Sequence, residues 1–196
     1  MIRLCAEYFR DMGYRQHHEE PLQIPLPSFG GGGSTICPVR PDSADLKWHH
    51  DQRGSVAEVF RRSWEVDCDQ VHAEAHGMIR QAYISTTLPG VVKGWHLHMK
   101  QTDRFVCVRG RIVLNLCSLM TTSPKVVQFV LDAERGPRLV TVPPGIAHGW
   151  KAIGTQESWV LNLCSQEYDG TDEWRRPAHS GPADDVSFDW RKEVDG

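Results

Sequence analysis

Short runs of apolar or alternating residues, separated by turn residues, fill the sequence from Gly54 onward. They read SVAEVF, MIRQAYIST, RFVCV, RIVLNLCSL, KVVQFVL, RLVTVP and SWVLNLC. A period of two residues is typical of strands that bury one face. Arg109-Gly110 predicts a tight hairpin, and Pro143-Pro144-Gly145 predicts a second turn between strands. The sequence therefore predicts an all-β fold, either a sandwich or a jelly-roll barrel.

The two ends of the chain lack this pattern. The prolines of PLQIPLPSFGGGGST exclude a long helix and its glycines form a flexible joint. We therefore expect residues 1–45 to be an N-terminal arm or linker and residues 46–196 to form one barrel domain. After Cys164 we expect a C-terminal tail of loop with a short helical piece, then a short final strand, VSFDW. This tail is expected to cover the mouth of the barrel.

The composition of the chain limits the classes of partner that we expect it to bind. The 22 Lys and Arg residues against 25 Asp and Glu give a net charge of −3, so we expect neither nucleic acid nor a membrane as a partner. The first residues carry charges and lack a long apolar run, which predicts a cytoplasmic protein. The six cysteines form no CxxC pair, and we expect reduced, buried thiols.

One strand carries an unusual density of titratable groups. His96 and His98 are two residues apart and so share a face of a strand, Asp103 follows five residues later, and His148 comes just after the Pro-Pro-Gly turn. This is the spacing of the cupin pattern. Three imidazoles and a carboxylate suit a divalent metal such as Fe, Mn, Ni or Zn. The alternative is that these histidines are hydrogen-bonded interior groups.

A second interpretation needs no metal. A histidine in a barrel can remove a proton from a carbon next to a ketone. A carboxylate that fixes the tautomer of this base improves it, and we expect Asp184 or Asp185 of the tail in that position. An acid on the opposite face of the substrate would complete the site. The residues alone leave the metal and the metal-free interpretations open.

Five segments together resemble the dTDP-4-dehydrorhamnose 3,5-epimerase family and its nucleotide-sugar epimerase-like relatives. In order, they are DQRGSVAEVF, QAYIS, GVVKGWHLH, VPPGIAHGW and LNLCSQEY, and the resemblance runs from Trp48 to Trp190. It implies a homodimeric cupin-type jelly roll that epimerises a nucleotide-linked 4-keto-6-deoxy sugar at carbons beside the ketone. It also implies that no metal or other cofactor takes part.

The resemblance assigns roles to individual residues. His96 matches the family's base, and His148 is placed to polarise the ketone oxygen or stabilise the enolate. Gln81 and Ser85 match polar positions of the family, and Tyr83 replaces an asparagine. The expected substrate-binding residues are Arg53, Glu58, Gln81, Tyr83, Lys93, His98, Arg104 and Trp150.

The sequence also departs from the family pattern. The position of the family's acid, a tyrosine thirteen residues after the His148 match, falls on Leu161, and Tyr168 and Tyr83 are the candidate replacements. The family's lysine falls on Asp103. These changes keep two alternatives open. One is a metal-dependent cupin enzyme that uses His96, His98, Asp103 and His148, and the other is a non-catalytic cupin that binds a sugar nucleotide.

Overall fold

The computed structural model describes residues 10, 13–16, 42–45, 48–51, 54–57, 79–119, 123–184 and 186–191. For residues 16, 42–45, 48–51 and 54–57 it describes the backbone only. These residues form thirteen β-strands. The strands are β1 Arg15–Gln16, β2 Asp42–Asp45, β3 Trp48–Asp51, β4 Gly54–Ala57, β5 Gln81–Thr87, β6 Val92–Leu97, β7 Asp103–Arg109, β8 Arg111–Ser118, β9 Val126–Asp132, β10 Arg138–Val142, β11 Ile146–Ile153, β12 Ser158–Cys164 and β13 Trp174–Arg175.

The strands make two large antiparallel sheets. One has the order β1-β13-β6-β11-β8-β9, the other has the order β2-β10-β7-β12-β5, and β3 and β4 form a separate pair. Apolar side chains of both large sheets pack between them, as in a jelly roll. The predicted all-β jelly-roll class is confirmed. No helix in the described part of the chain is long and apolar enough to cross a membrane.

The turn at Gly110 differs from the prediction. Gly110 has a φ of 70° and directly joins β7 to β8, as a tight turn would. However, β7 pairs with β10 and β12, whereas β8 pairs with β9 and β11. The hairpin prediction is therefore wrong, because this turn carries the chain from one sheet to the other. The turn at Pro143–Gly145 lies between β10 and β11 as predicted, and it also joins the two sheets.

The chain ends contribute strands that the sequence did not predict. Within the expected arm, β1 pairs with β13 and β2 pairs with β10. In the tail, Trp174–Arg175 is a strand and lies between β1 and β6. The predicted final strand VSFDW is wrong, since Val186 makes only an isolated bridge to Ala183. The described tail residues contain no helix, so the expected helical piece is also wrong there. The domain boundary at residue 45 stays a prediction.

Alternation along β6 divides its side chains between two environments. Trp95 and Leu97 are fully buried in a cluster on the outer face of the six-stranded sheet, where Phe188 and Trp190 of the tail cover them. The intervening His96 points to the other face, toward the barrel interior. Three described cysteines are free and buried, as the sequence predicts: Cys107, Cys117 and Cys164.

Two glycines allow β6 and β11 to lie close together beside the motif histidines. His148 pairs with His96 across these strands, and the register shifts between His148 and Trp150. A Cβ atom on Gly149 would lie 2.8 Å from both Gly94 Cα and Lys93 O, which are backbone atoms that cannot turn away. The close approach that places His148 opposite His96 therefore requires glycine at position 149.

We expect Gly149→Ala to lower the free energy of unfolding by about 1–3 kcal/mol, because the added methyl group forces a backbone shift in a packed region. Denaturant-induced unfolding followed by tryptophan fluorescence measures this change. The exposed Thr155→Ala substitution serves as the control and is expected to stay within about 0.5 kcal/mol of the wild type. Equal stability of Gly149→Ala and the wild type would contradict the close approach.

Candidate active site

The barrel contains a cavity of about 920 Å³. Its walls come from β5, β6 and β11 and from tail residues 166–169, 172, 173 and 175–177. This part of the tail therefore lies at the cavity, in agreement with the expectation that the tail covers the mouth. A space of this size is in the range of pockets that hold small molecules.

His96 lies in the cavity wall with a carboxylate behind it. Its Nδ1 is 3.7 Å from Glu173 Oε1, and 29% of its side chain is exposed to the cavity. Burial, together with the smaller effects of His148, Arg175 and His98, lowers the pKa of His96 to about 3, while Asp103 opposes the shift. His96 is therefore neutral at physiological pH and has a ring nitrogen free of a proton.

Glu173 occupies the position that we expected for Asp184. Glu173 is buried, and its Oε1 accepts hydrogen bonds from Arg175 Nε at 2.9 Å and Nη2 at 2.8 Å. Asp184 instead accepts a 2.6 Å hydrogen bond from Arg176, and its side chain is 64% exposed. Because Asp184 is directed to Arg176 and does not line the cavity, its predicted partnership with His96 is wrong. Asp185 lies outside the described residues.

Asp103 is buried at the base of the cavity. Its Oδ1 accepts hydrogen bonds from Gln101 Nε2 at 2.7 Å and from Asn162 Nδ2 at 2.8 Å. Burial favours the neutral acid, but the imidazoles of His98 and His148 and the two amide donors outweigh it and lower the pKa of Asp103. This carboxylate is therefore ionised inside the barrel.

Two histidines face the second oxygen of Asp103. Asp103 Oδ2 lies 3.6 Å from His98 Nε2 and 3.5 Å from His148 Nε2. The ligand atoms of His98, Asp103 and His148 lie within 4.8 Å of one another. Three of the four predicted metal ligands thus come together. His96 is not part of this group, since its Nδ1 is directed to Glu173 and its ring centroid is 6.0 Å from that of His148.

The backbone fixes both of these imidazoles. His148 Nδ1 donates to Ile146 O at 3.1 Å, and His98 Nδ1 donates to Asp172 O at 3.1 Å. Burial lowers the pKa of His148, which keeps its ring neutral despite the opposing effect of Asp103. With the proton on Nδ1, a neutral imidazole presents an unprotonated Nε2. Asp172 lies in a predicted loop without a motif, so its contact with His98 could not be predicted from the sequence.

Alternate residues of β5 form another wall of the cavity. Gln81, Tyr83 and Ser85 all line it, which agrees with the predicted polar stripe. Tyr83 Oη accepts a 3.0 Å hydrogen bond from Asn162 Nδ2, which links it to Asp103. Burial and the Asp103 carboxylate raise the pKa of Tyr83, so its hydroxyl stays protonated.

Two further predicted residues line the cavity. Lys93 Nζ donates to Ser85 Oγ at 2.8 Å and to Thr86 O at 2.6 Å, and burial lowers its pKa. Trp150 is buried in the wall, where its Nε1 donates to Thr87 Oγ1 at 3.0 Å. The hydrogen bonds fix both side chains against the same end of β5.

Arg104 does not line the cavity. It follows Asp103 in β7, so its side chain lies on the opposite face of the sheet, where it is buried. Its predicted contact with substrate is therefore wrong. The predicted contacts of Arg53 and Glu58 fall on positions whose side chains lie outside the described residues.

Asn162 is the residue of β12 that sequence reasoning missed. Its amide contacts Asp103 and Tyr83, and two residues before it Val160 packs in the core. Leu161 occupies the position, thirteen residues after His148, at which the family has its tyrosine. Because Asn162 and Val160 face inward, Leu161 lies on the outer face of this strand. The feature that could have identified Asn162 is a polar residue at an inward-facing position of the otherwise apolar strand SWVLNLC.

Tyr168 lies at the rim of the cavity. Its side chain is 58% exposed and hydrogen-bonds to the Glu173 carboxylate. Partial burial and the negative charge of Glu173 raise the pKa of Tyr168. Because Glu173 also faces His96, Tyr168 and His96 lie on the same side of the cavity, whereas Tyr83 is tied to the Asp103 side.

Comparison with known proteins agrees with this geometry. The sequence profile of dTDP-4-dehydrorhamnose 3,5-epimerase matches residues 43–192. The chain belongs to the dTDP-4-dehydrorhamnose 3,5-epimerase family. It is 35% identical over 159 residues to "Probable low-salt glycan biosynthesis epimerase Agl13" of Haloferax volcanii, covering 78% of this chain and 94% of that protein. It is 30% identical over 152 residues to the spore coat polysaccharide biosynthesis protein SpsL of Bacillus subtilis, covering 76% and 93%.

A solved structure confirms the fold assignment. The dTDP sugar isomerase from Desulfovibrio desulfuricans G20 superposes with a TM-score of 0.65 at 22% identity, covering 79% of this chain and 92% of that one. At this level of identity the likeness shows the fold of the epimerase family in this chain.

The hydrogen bonds of Asn162 provide a stability test of the site. We expect Asn162→Leu to lower the free energy of unfolding by about 1–3 kcal/mol, because it removes a donor from the buried, ionised Asp103. Urea unfolding measures the loss. In the control Gln128→Leu, which removes an exposed amide that bonds to Asn115, we expect less than about 1 kcal/mol. Similar effects of the two substitutions would contradict the assigned role of Asn162.

Proposed function

We propose that this chain epimerises a nucleotide-linked 4-keto-6-deoxy sugar at carbon 3, carbon 5 or both. The observation that carries the proposal is a neutral His96 in the cavity wall, backed by Glu173, in a chain of this epimerase family. The ketone acidifies the neighbouring carbons. His96 takes the proton from one of them, the C–H electron pair becomes an enolate, and an acid returns a proton from the other face.

Glu173 makes His96 a better base in the reaction than its resting state suggests. Once the imidazole accepts a proton, its positive charge lies beside the buried Glu173 carboxylate at 3.7 Å. This attraction is absent for the neutral ring and present for the imidazolium. Glu173 is therefore the proposed positioning residue for His96.

We propose Tyr83 as the acid. It is protonated, lines the cavity from β5 of the five-stranded sheet and is bonded to Asn162, whereas His96 belongs to β6 of the six-stranded sheet. Tyr168 is the alternative donor, but it shares Glu173 with His96 and so lies beside the base. Inversion at carbon needs a base and an acid on opposite faces of the sugar, and Tyr83 meets this requirement better.

His148 lies deeper in the cavity than the proposed acid and base. In the proposed mechanism it polarises the ketone oxygen and stabilises the enolate as an imidazolium, because its Nδ1–H is bonded to Ile146 O and its Nε2 must carry a second proton to donate. The steps move protons without electron transfer, so the proposal requires no redox cofactor.

Basic residues at the cavity are suited to the diphosphate of the substrate. Arg15, Lys100, Arg175 and Arg176 all line it, and guanidinium groups bind phosphate oxygens in pairs. We propose Arg53 and Glu58 as further nucleotide contacts, by analogy with the family motif. A homodimer in the cytoplasm stays a prediction of this proposal.

We expect wild-type protein to incorporate deuterium from heavy water at carbon 3 or carbon 5 of a 4-keto-6-deoxy sugar nucleotide, and His96→Gln to slow incorporation about 100-fold or more. Loss of the base removes the C–H cleavage step. Proton NMR of the sugar follows the exchange. His179→Gln, an exposed histidine away from the cavity, is the matched control and is expected to exchange at the wild-type rate.

No exchange by wild type with dTDP, UDP or GDP sugars would overturn the proposed activity and would favour the sugar-nucleotide-binding alternative. Full activity of His96→Gln would reject His96 as the base.

The proposed acid separates exchange from inversion. We expect Tyr83→Phe to retain deuterium incorporation from the His96 face but to lose the inverted product by at least about 100-fold. Chromatographic separation of the two epimers measures inversion, and NMR measures exchange in the same samples. Tyr168→Phe is the matched control and is expected to invert normally. The reverse result for the two tyrosines would make Tyr168 the acid.

A further inference from the structure

We propose that His98, Asp103 and His148 bind a divalent transition-metal ion at the base of the cavity. The imidazole nitrogens and the carboxylate oxygen of these residues lie within 4.8 Å of one another. Two imidazoles and one carboxylate are a donor set that suits iron, manganese, nickel, cobalt or zinc. The proposed proton transfer between His96 and Tyr83 assigns no role to His98.

Backbone hydrogen bonds fix the orientation of both histidine rings. Each Nδ1 donates to a backbone carbonyl at 3.1 Å, to Ile146 O from His148 and to Asp172 O from His98. The other ring nitrogen, Nε2, faces Asp103 Oδ2 in both rings. A carbonyl that fixes the tautomer and orientation of a histidine from behind is typical of metal-ligating imidazoles.

The spacing around Asp103 Oδ2 supports the same conclusion. The two Nε2 atoms are 3.5 and 3.6 Å away from it, which is longer than the 2.7–3.2 Å or so of a well-formed hydrogen bond. Three possible ligand atoms thus converge at distances too long for direct hydrogen bonds. A cation between them would attract all three atoms, and the carboxylate would partly neutralise a divalent charge.

The surroundings hold the carboxylate in position for an ion. Asp103 Oδ1 is occupied by the amide donors of Gln101 and Asn162, which leaves Oδ2 directed toward the histidines. The buried thiol of Cys164 also contacts Asp103, and both burial and this carboxylate raise the pKa of the thiol, so it stays protonated. The outer groups therefore orient Asp103 without competing as charged ligands.

An ion at this position would be accessible from the cavity, because His98 and His148 both line it. If the proposed epimerase activity is correct, the ion could act as a Lewis acid toward an oxygen of the bound sugar. Binding of the ion itself does not depend on that activity.

The test is titration of chelator-treated protein with Co²⁺ alone, in the absence of any sugar nucleotide. Visible absorption of Co²⁺ reports nitrogen and oxygen ligation, and calorimetry gives the stoichiometry. We expect a saturable site that His98→Gln and Asp103→Asn each weaken about 100-fold or more, beyond the roughly 10–100-fold typical for loss of an outer group. The chain has ten histidines, so these variants are needed to locate the ion.

His96→Gln is the matched control, since it removes a histidine from the same cavity but outside the cluster, and it is expected to bind Co²⁺ like the wild type. Circular dichroism verifies the fold of each variant, and His98→Gln decides the outcome if Asp103→Asn does not fold. No saturable Co²⁺ or Zn²⁺ site in the wild type would overturn the proposal. Unchanged binding by His98→Gln would do the same. Because no substrate is present, neither result bears on the epimerase activity.

Discussion

The buried carboxylate of Asp103 is the interaction around which the interior is organised. An ionised carboxylate inside a barrel is stable only if fixed dipoles replace its water. Those dipoles come from Gln101 just before β7 and from Asn162 of β12, while His98 and His148 approach from the six-stranded sheet. One charge thus links the two sheets at the base of the cavity.

The close approach of the β6 and β11 backbones is the second constraint on the geometry of the site. Gly94 and Gly149 let β6 and β11 pair beside the site, with His96 opposite His148. Alternation then sends Trp95 and Leu97 into the outer cluster and leaves His96 facing the cavity. The packing of the tail on that outer cluster also brings β13 beside β6, which places Glu173 next to His96. The tail therefore contributes both the strand and the carboxylate that lie beside the proposed base.

The periodicity of the sequence was sufficient to predict which segments form strands, but not which strands pair with each other. The runs RFVCV and RIVLNLCSL were correctly predicted as strands, yet Gly110 joins two sheets, because local turn chemistry does not specify which sheet receives the next strand. The motif residues around His96 and His148 were found because their order in the chain matches the family. Glu173 was not predicted as the partner of His96 because its position depends on how β13 packs beside β6. In the sequence, the adjacent carboxylates at 184 and 185 were equally plausible partners.

A crystal structure with bound substrate would show whether proton removal by His96 and proton return by Tyr83 occur on opposite faces of the keto sugar. His96→Gln protein with a 4-keto-6-deoxy sugar nucleotide would trap the complex. We expect a carbon next to the ketone within about 3.5 Å of residue 96, with the Tyr83 hydroxyl on the opposite face of the ring. A sugar bound outside the cavity, or with both residues on one face, would contradict it.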